Sequence, residues 1–167
     1  ASDASFADNT LDRKSSQAYI IKLFGGLIAW RASKQDTVTT STTEAELLAL
    51  SQTAKEAIYL SRCIRELDIT LPDSTITIQC DNQQTVRLIN AELAKLQTKL
   101  RHVDIHNHWL RQERAKGTIR VVYTPTTEML ADGLTKALPP NKWLTFTKQM
   151  GLQQGKRPIN RELDLQS

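Results

Sequence analysis

The sequence predicts an α/β domain, a mixed β-sheet flanked by helices. Two observations predict it. First, residues 17–24 and 27–31 are rich in β-branched and aromatic side chains and are joined by Gly25-Gly26, the pattern of an antiparallel hairpin. Second, two later strand-like segments, Ile76 to Cys80 and Ile119 to Tyr123, are each reached across helical stretches, the connection that parallel strands need. The order β, β, β, α, β, α, α, β, α therefore combines both kinds of pairing in one layer covered by helices.

Each element has a local reason. A short first strand carries Asp3, and the hairpin follows. Ser41, Thr42 and Thr43 offer capping oxygens before a periodic stretch, Glu44 to Leu67, whose Leu47, Leu50, Ala54, Ala57, Ile58 and Ile64 recur at helical spacing. Ile76 to Cys80 alternates as a strand, and a helical pattern resumes over Asn82 to Asn90 directly after Asp81. Leu100 to Lys116 reads as a basic helix stopped by Gly117, and Ile119 to Tyr123 as a strand closed by Thr124-Pro125. Thr127 can cap a helix from Glu128 to Leu138 ended by Pro139-Pro140, and an amphipathic turn or two spans Lys142 to Met150. Residues 1–150 are expected to form one domain, and 151–167 a polar, disordered tail.

Composition narrows the function classes. A net charge of +4 and a pI near 9.2 favour a polyanionic partner. No apolar run reaches the ~18 residues of a membrane span, and no basic segment followed by an apolar one opens the chain, so an intracellular protein is expected. Cys63 and Cys80 lack the CxxC spacing of zinc or redox sites and read as buried free thiols. His102 and His106 stand four apart on one helical face, but no acidic or cysteine partner completes a zinc set.

The chemistry is carried by acids. Asp3, Glu46, Asp81 and Asp132 each stand at the edge of a regular element, in the contexts SDAS, TTEAELLAL, IQCDNQQTV and MLADGLTKAL. Magnesium takes oxygen ligands and keeps several waters, so a few convergent carboxylates and phosphate oxygens can hold it. Two such ions about 4 Å apart can activate a water and stabilise a leaving oxygen, which points to phosphodiester hydrolysis. Between Glu44 and Glu46 only one can face such a site, because helical residues two apart diverge by about 200°. Steps of three and four from Glu46 meet Leu50, Thr53, Ala57 and Ile64, whereas Glu44 shares its stripe with Ser51, Lys55 and Arg62, so the ligand is assigned to Glu46. Asp8, Asp12 and Glu128 read as ordinary solvated acids.

SDASFAD, DRKSS, LIAWRASKQ, STTEAELLALS, IQCDN, RHVDIHNHWLR and YTPTTEMLADGLTKALP, in that order, resemble the ribonuclease H domain of copia-type long-terminal-repeat retrotransposon polyproteins. The resemblance covers roughly residues 1–150. It implies a ribonuclease H fold with a five-stranded mixed sheet and an endonuclease that uses two magnesium ions, with manganese able to substitute, to cut the RNA strand of RNA/DNA hybrids. Asp3, Glu46, Asp81 and Asp132 match the acid positions of such families. Asp3 is expected to lie between the two ions, Glu46 and Asp81 on the leaving-group side and Asp132 on the side of the attacking water, with 5′-phosphate and 3′-hydroxyl products. Some ribonucleases H carry a histidine in the loop before the last helix, whereas Thr124 to Thr127 has none.

Selecting RNA requires contact with the 2′-hydroxyl. Ser5, Thr42, Thr43, Asn82 and Gln83 are the candidates; for Thr42 and Thr43, helix capping is an equal reading. Lys95, Lys99, Arg101, Arg111, Arg114, Lys116 and Arg120, with Trp109 among them and Arg13 and Lys14 as a smaller cluster, form a candidate phosphate-binding surface. The resemblance further implies a covalently linked reverse transcriptase domain and residence in the cytoplasm, within retrotransposon particles. A binding domain without catalysis, or an integrase-type strand transferase on a related fold, are the alternatives; the first would lack one or more acids, and the second would need a different final carboxylate.

Overall fold

A computed structural model describes residues 1–7, 11–91 and 100–152. Strand β1 (Ser2–Ser5) pairs antiparallel with β2 (Ser16–Leu23), which pairs antiparallel with β3 (Gly26–Lys34). Asp3 stands opposite Ala18, and Ile20 opposite Trp30. Strands β4 (Ile76–Cys80) and β5 (Ile119–Tyr123) pair in parallel, Ile78 opposite Val121, and coincide with the segments read from sequence. The five expected strands are thus present, but their ladders form two groups, β1-β2-β3 and β4-β5, with β1 lying alongside β4. A cleft of about 310 Å³ lies between Ile20–Leu23 and Thr75–Ile78, above Ala57, Leu60 and Ile64.

The hairpin turn lies one residue earlier than expected. Phe24 and Gly25 take the left-handed conformation, φ 49° and 80°, and Gly26 already belongs to β3. Two consecutive positive-φ residues give the turn whose twist matches that of paired strands. A register irregularity between Ile21 and Lys22 absorbs the offset.

Helix α1 (Thr42–Glu66) is capped by Ser41, whose hydroxyl accepts the Glu44 N–H at 3.2 Å. Its Leu47, Leu50, Ala54 and Ile58 pack with Ile78 and Cys80 of β4, Leu88 and Ile89 of α2 (Gln83–Asn90), Val103 and Leu110 of α3 (Arg101–Ala115) and Ile119 and Val121 of β5. On β2, Ile20 instead joins Phe146 and Met150 against Leu27, Leu130, Leu134 and Leu138. The parallel pair is therefore covered by α1, α2 and α3, while the antiparallel group packs on α1 as well, Ala4 against Ala45 and Ala49, and also takes the C-terminal segment. Among the described residues no helix is long and apolar enough to cross a membrane.

The C-terminal part departs from the expected helix Glu128 to Leu138. A 3₁₀ turn spans Thr126–Glu128, Met129 is extended (φ −75°, ψ 100°), and a four-residue helix α4 (Asp132–Thr135) follows. Burial of Met129 and Ala131 competes with helix continuation, and Gly133, a poor helix former, sits where any β-carbon would strike the Phe146 ring. Gly133→Ala is accordingly expected to lower stability by about 1–3 kcal/mol through overpacking, read as a lower denaturation midpoint at unchanged slope. Pro140, expected to end a helix, instead opens α5 (Pro140–Gln149) at its first turn, where a missing N–H costs nothing. Of the expected polar tail only Gly151 and Leu152 fall within the described residues.

Candidate active site

The site is assembled from three places in the chain. Asp3 projects from β1, Glu46 from the second turn of α1, and Asp81 follows the last residue of β4. One carboxylate oxygen from each lies within 4.8 Å of the others. Asp3 and Glu46 are buried, and Asp81 is half-buried. Hard oxygen donors gathered this closely suit a divalent cation such as magnesium. Asp132 lies outside this trio, at the start of α4, yet close enough for its charge to act on Asp3.

Each acid is held by its own partner. Ala1 and Ile20 exchange both backbone hydrogen bonds, N to O at 2.8 and 3.0 Å, so by antiparallel alternation the Ala4 N–H points away from β2. It donates to Glu46 Oε1 at 3.2 Å. The Thr135 hydroxyl donates to Asp3 Oδ2, and the Thr126 hydroxyl to Asp81 Oδ2 at 2.8 Å. Lys136, one turn after Asp132, places its ammonium on Asp132 Oδ1.

Electrostatics follow from crowding under a dry roof. Burial above all pushes Asp3 up to about 6; the Thr135 hydrogen bond opposes this, and the Asp81 and Asp132 charges add to it. Burial, with the Asp3 and Asp81 charges, pushes Glu46 up to about 9. Burial raises the Cys80 thiol as well, reinforced by Glu46, whose Oε2 lies 3.9 Å from Sγ. For Lys136, partial burial works against the ammonium, but Asp132, Asp3 and Asp81 outweigh it and raise its pKa. Protons, or a cation, would relieve the cluster.

Glu44 is as buried as Glu46, and so is Ser51 on its stripe, because from Glu44 onward the first turns of α1 bury residues on more than one face, Ala45, Leu47, Ala49 and Leu50 among them. The two acids nonetheless diverge: Glu44 Oε2 accepts from the Thr40 N–H and hydroxyl, both at 2.7 Å, away from Glu46's partners. Thr43 donates to Gln84 Oε1 at 3.0 Å, tying the starts of α1 and α2, and Thr42 is exposed beside it. Asn82 caps α2 by accepting the Thr85 N–H at 2.9 Å, Gln83 is exposed, and Ser5 ends β1 half-buried opposite Ser16.

Sequence reasoning assigned no role to Thr126, Thr135, Lys136 or Gln84. For two of them a signal existed: Thr135 and Lys136 follow Asp132 by three and four residues, the spacing that shares a helix face.

Other sequence candidates sit elsewhere. His106 Nδ1 meets the Ser51 hydroxyl at 3.0 Å between α1 and α3, where burial lowers its pKa, and His108 contacts Gln112 at 3.2 Å. Of the basic surface, Lys95 and Lys99 lie outside the described residues. Arg111 donates to the Ala91 carbonyl at 2.7 Å, Arg120 pairs with Asp73 at 3.8 Å, Lys116 pairs with Glu113 at 2.8 Å, and Lys55 lies over the Trp109 ring. Arg101 and Arg114 are exposed, as is Arg13, and Lys14 is half-buried. Asp12 pairs with Lys34 at 3.6 Å and Glu128 is exposed; Asp8 lies outside the described residues. Cys80 is buried as expected, whereas Cys63 is only half-buried.

No protein-family model matches the chain. Over 150 residues it is 35% identical to the retrovirus-related Pol polyprotein from transposon TNT 1-94 of Nicotiana tabacum, an alignment covering 90% of this chain and 11% of that polyprotein. Among solved structures it resembles ribonuclease H1 from Halobacterium salinarum NRC-1 with a TM-score of 0.56 at 16% identity, covering 86% of this chain and 94% of that one. The chain has a ribonuclease H fold and is a relative of retrotransposon Pol polyproteins. A second ribonuclease H1, LC11, solved in complex with an RNA/DNA hybrid, matches this ribonuclease H fold with a TM-score of 0.57 at 15% identity over 80% of this chain and 89% of its own. The chain spans about one-tenth of the length of the Pol polyproteins it matches.

Proposed function

We propose that this ribonuclease H fold is a metal-dependent endonuclease that hydrolyses the RNA strand of RNA/DNA hybrids during reverse transcription. The observation that carries the reading is the meeting of Asp3, Glu46 and Asp81 oxygens within 4.8 Å. Buried acids whose protons are retained well above the usual carboxylate range suit a site completed by positive charge.

Asp3, Glu46, Asp81 and Asp132 would hold two magnesium ions, with manganese as a substitute. When bound, the metal supplies an activated water and neutralises charge developing on the phosphate. The chain's own part is positioning. Thr135 orients Asp3, Thr126 orients Asp81, and the Ala4 amide orients Glu46, while the core around Cys80 keeps water from their inner oxygens. Ser5, Thr42, Thr43, Asn82 and Gln83 would meet the ribose 2′-hydroxyls; the Asn82 oxygen is engaged in its cap, so its contact is through the amide NH₂ donors. The setting we infer is a polyprotein that also carries reverse transcriptase, acting in the cytoplasm within retrotransposon particles.

The test is a panel of labelled RNA/DNA, RNA/RNA and DNA/DNA duplexes incubated with magnesium and again with chelator. Cleavage confined to the RNA of the hybrid, and lost with chelator, is expected. Hybrid binding without cleavage would instead support a non-catalytic scaffold.

A further inference from the structure

We propose that Lys136 is a resident counter-cation of the acid cluster, its ammonium holding the place at Asp132 where a second divalent ion loads. The inference rests on the metal-dependent reading above and adds an order of filling to it. The four acids are not equivalent in space: three converge, and the fourth is engaged by an ammonium four residues further along the chain. That ammonium is confined, because the adjacent Thr135 hydroxyl fastens the segment to Asp3 on β1. It also has a way out, since the Lys136 side chain is 47% exposed while that of Asp132 is 20% exposed. A lysine ammonium is a compact charge on a flexible four-carbon stem, able to leave its partner for solvent without disturbing the backbone.

Two consequences follow. The first ion meets Asp3, Glu46 and Asp81, to none of which an ammonium is bonded among the described residues. The second must displace Lys136 from Asp132, so it binds more weakly, and the difference is set by the charge at position 136. Lysine and a dication compete for the same carboxylate oxygen, and repulsion between them keeps both from occupying it together.

The experiment is calorimetric titration of the intact chain with Mn²⁺, without nucleic acid, for the wild type, Lys136→Met and Lys136→Arg. The wild type is expected to show a tighter and a weaker step. Lys136→Met should tighten the weaker step by roughly tenfold and the first by less, while Lys136→Arg, which keeps the charge, should titrate like the wild type. Two equal steps in the wild type, an unchanged second step in Lys136→Met, or equal tightening by Met and Arg would each overturn the proposal. A wild type that takes up no manganese would sink the metal-dependent reading as well. Two unequal steps together with an unmoved Met variant would remove this inference alone.

Discussion

Replacing Asp81 by asparagine is expected to reduce magnesium-dependent cleavage of RNA/DNA hybrids by at least ~10³-fold while the melting temperature and hybrid affinity stay nearly unchanged. The separation of effects follows from where Asp81 stands. It is half-buried at the end of β4, and its hydrogen bond from the Thr126 hydroxyl can pass to the amide oxygen of asparagine. What disappears is one carboxylate charge from the three acids whose oxygens lie within 4.8 Å of one another. Asp132→Asn should behave alike, because that residue begins a short helix and contributes no core packing. Single-turnover kinetics on a labelled hybrid, with binding measured separately, check both substitutions. Sustained turnover in either would show that the acids do not work as a set.

Glu46→Gln should invert the usual effect of disturbing a buried site: in chelator at pH 9 the variant should be more stable than the wild type, and at pH 5 the two should be nearly equal. The folded-state carboxyl sits at about 9 against an unfolded value of 4.5, so the native chain holds its proton more tightly. Stability from that proton is complete below about pH 4.5 and drains away as pH rises through 9. Asp3, at about 6 against 3.8, works in the same direction over a lower range. Each pKa unit corresponds to about 1.4 kcal/mol, which puts the wild-type loss between pH 5 and 9 at several kcal/mol and on the order of 10 °C in melting temperature. Glutamine has no proton to lose and keeps an oxygen for the Ala4 amide. Magnesium should restore the wild type at pH 9 and do little for the variant. Thermal denaturation at the two pH values, with and without metal, decides the matter; equal pH slopes for the two chains would refute the burial argument.

The parts of the molecule legible in its sequence were those governed by local rules. Periodicity alone marks α1, and the strand segments around Ile78 and Val121 announce themselves by alternation and by bounding turns. Asp3, Glu46 and Asp81, singled out by their places beside strand-like and helical segments and by the family resemblance, do come together in space, their oxygens within 4.8 Å. The segment after Pro125 was less readable, since its conformation is decided by contacts distant in the chain. Met129 and Ala131 are drawn into the interior, and Gly133 accommodates the Phe146 ring, so helical spacing there was a false guide. The enclosure of Glu44 was also hidden, because its carboxylate is satisfied by a threonine in the preceding loop, which a helical stripe does not show. The hydroxyls of Thr126 and Thr135 act across 45 and 132 residues of chain, a reach that no spacing rule encodes.

The register of β1 carries its own consequence. The strand supplies Asp3 to the cluster and the amide that steadies Glu46. Side chains along a strand alternate in direction, so a slip of one place against β2 would rotate Asp3 out of the pocket and withdraw the Ala4 N–H in the same movement. The meeting of the acid trio therefore depends on the alignment of β1 against β2.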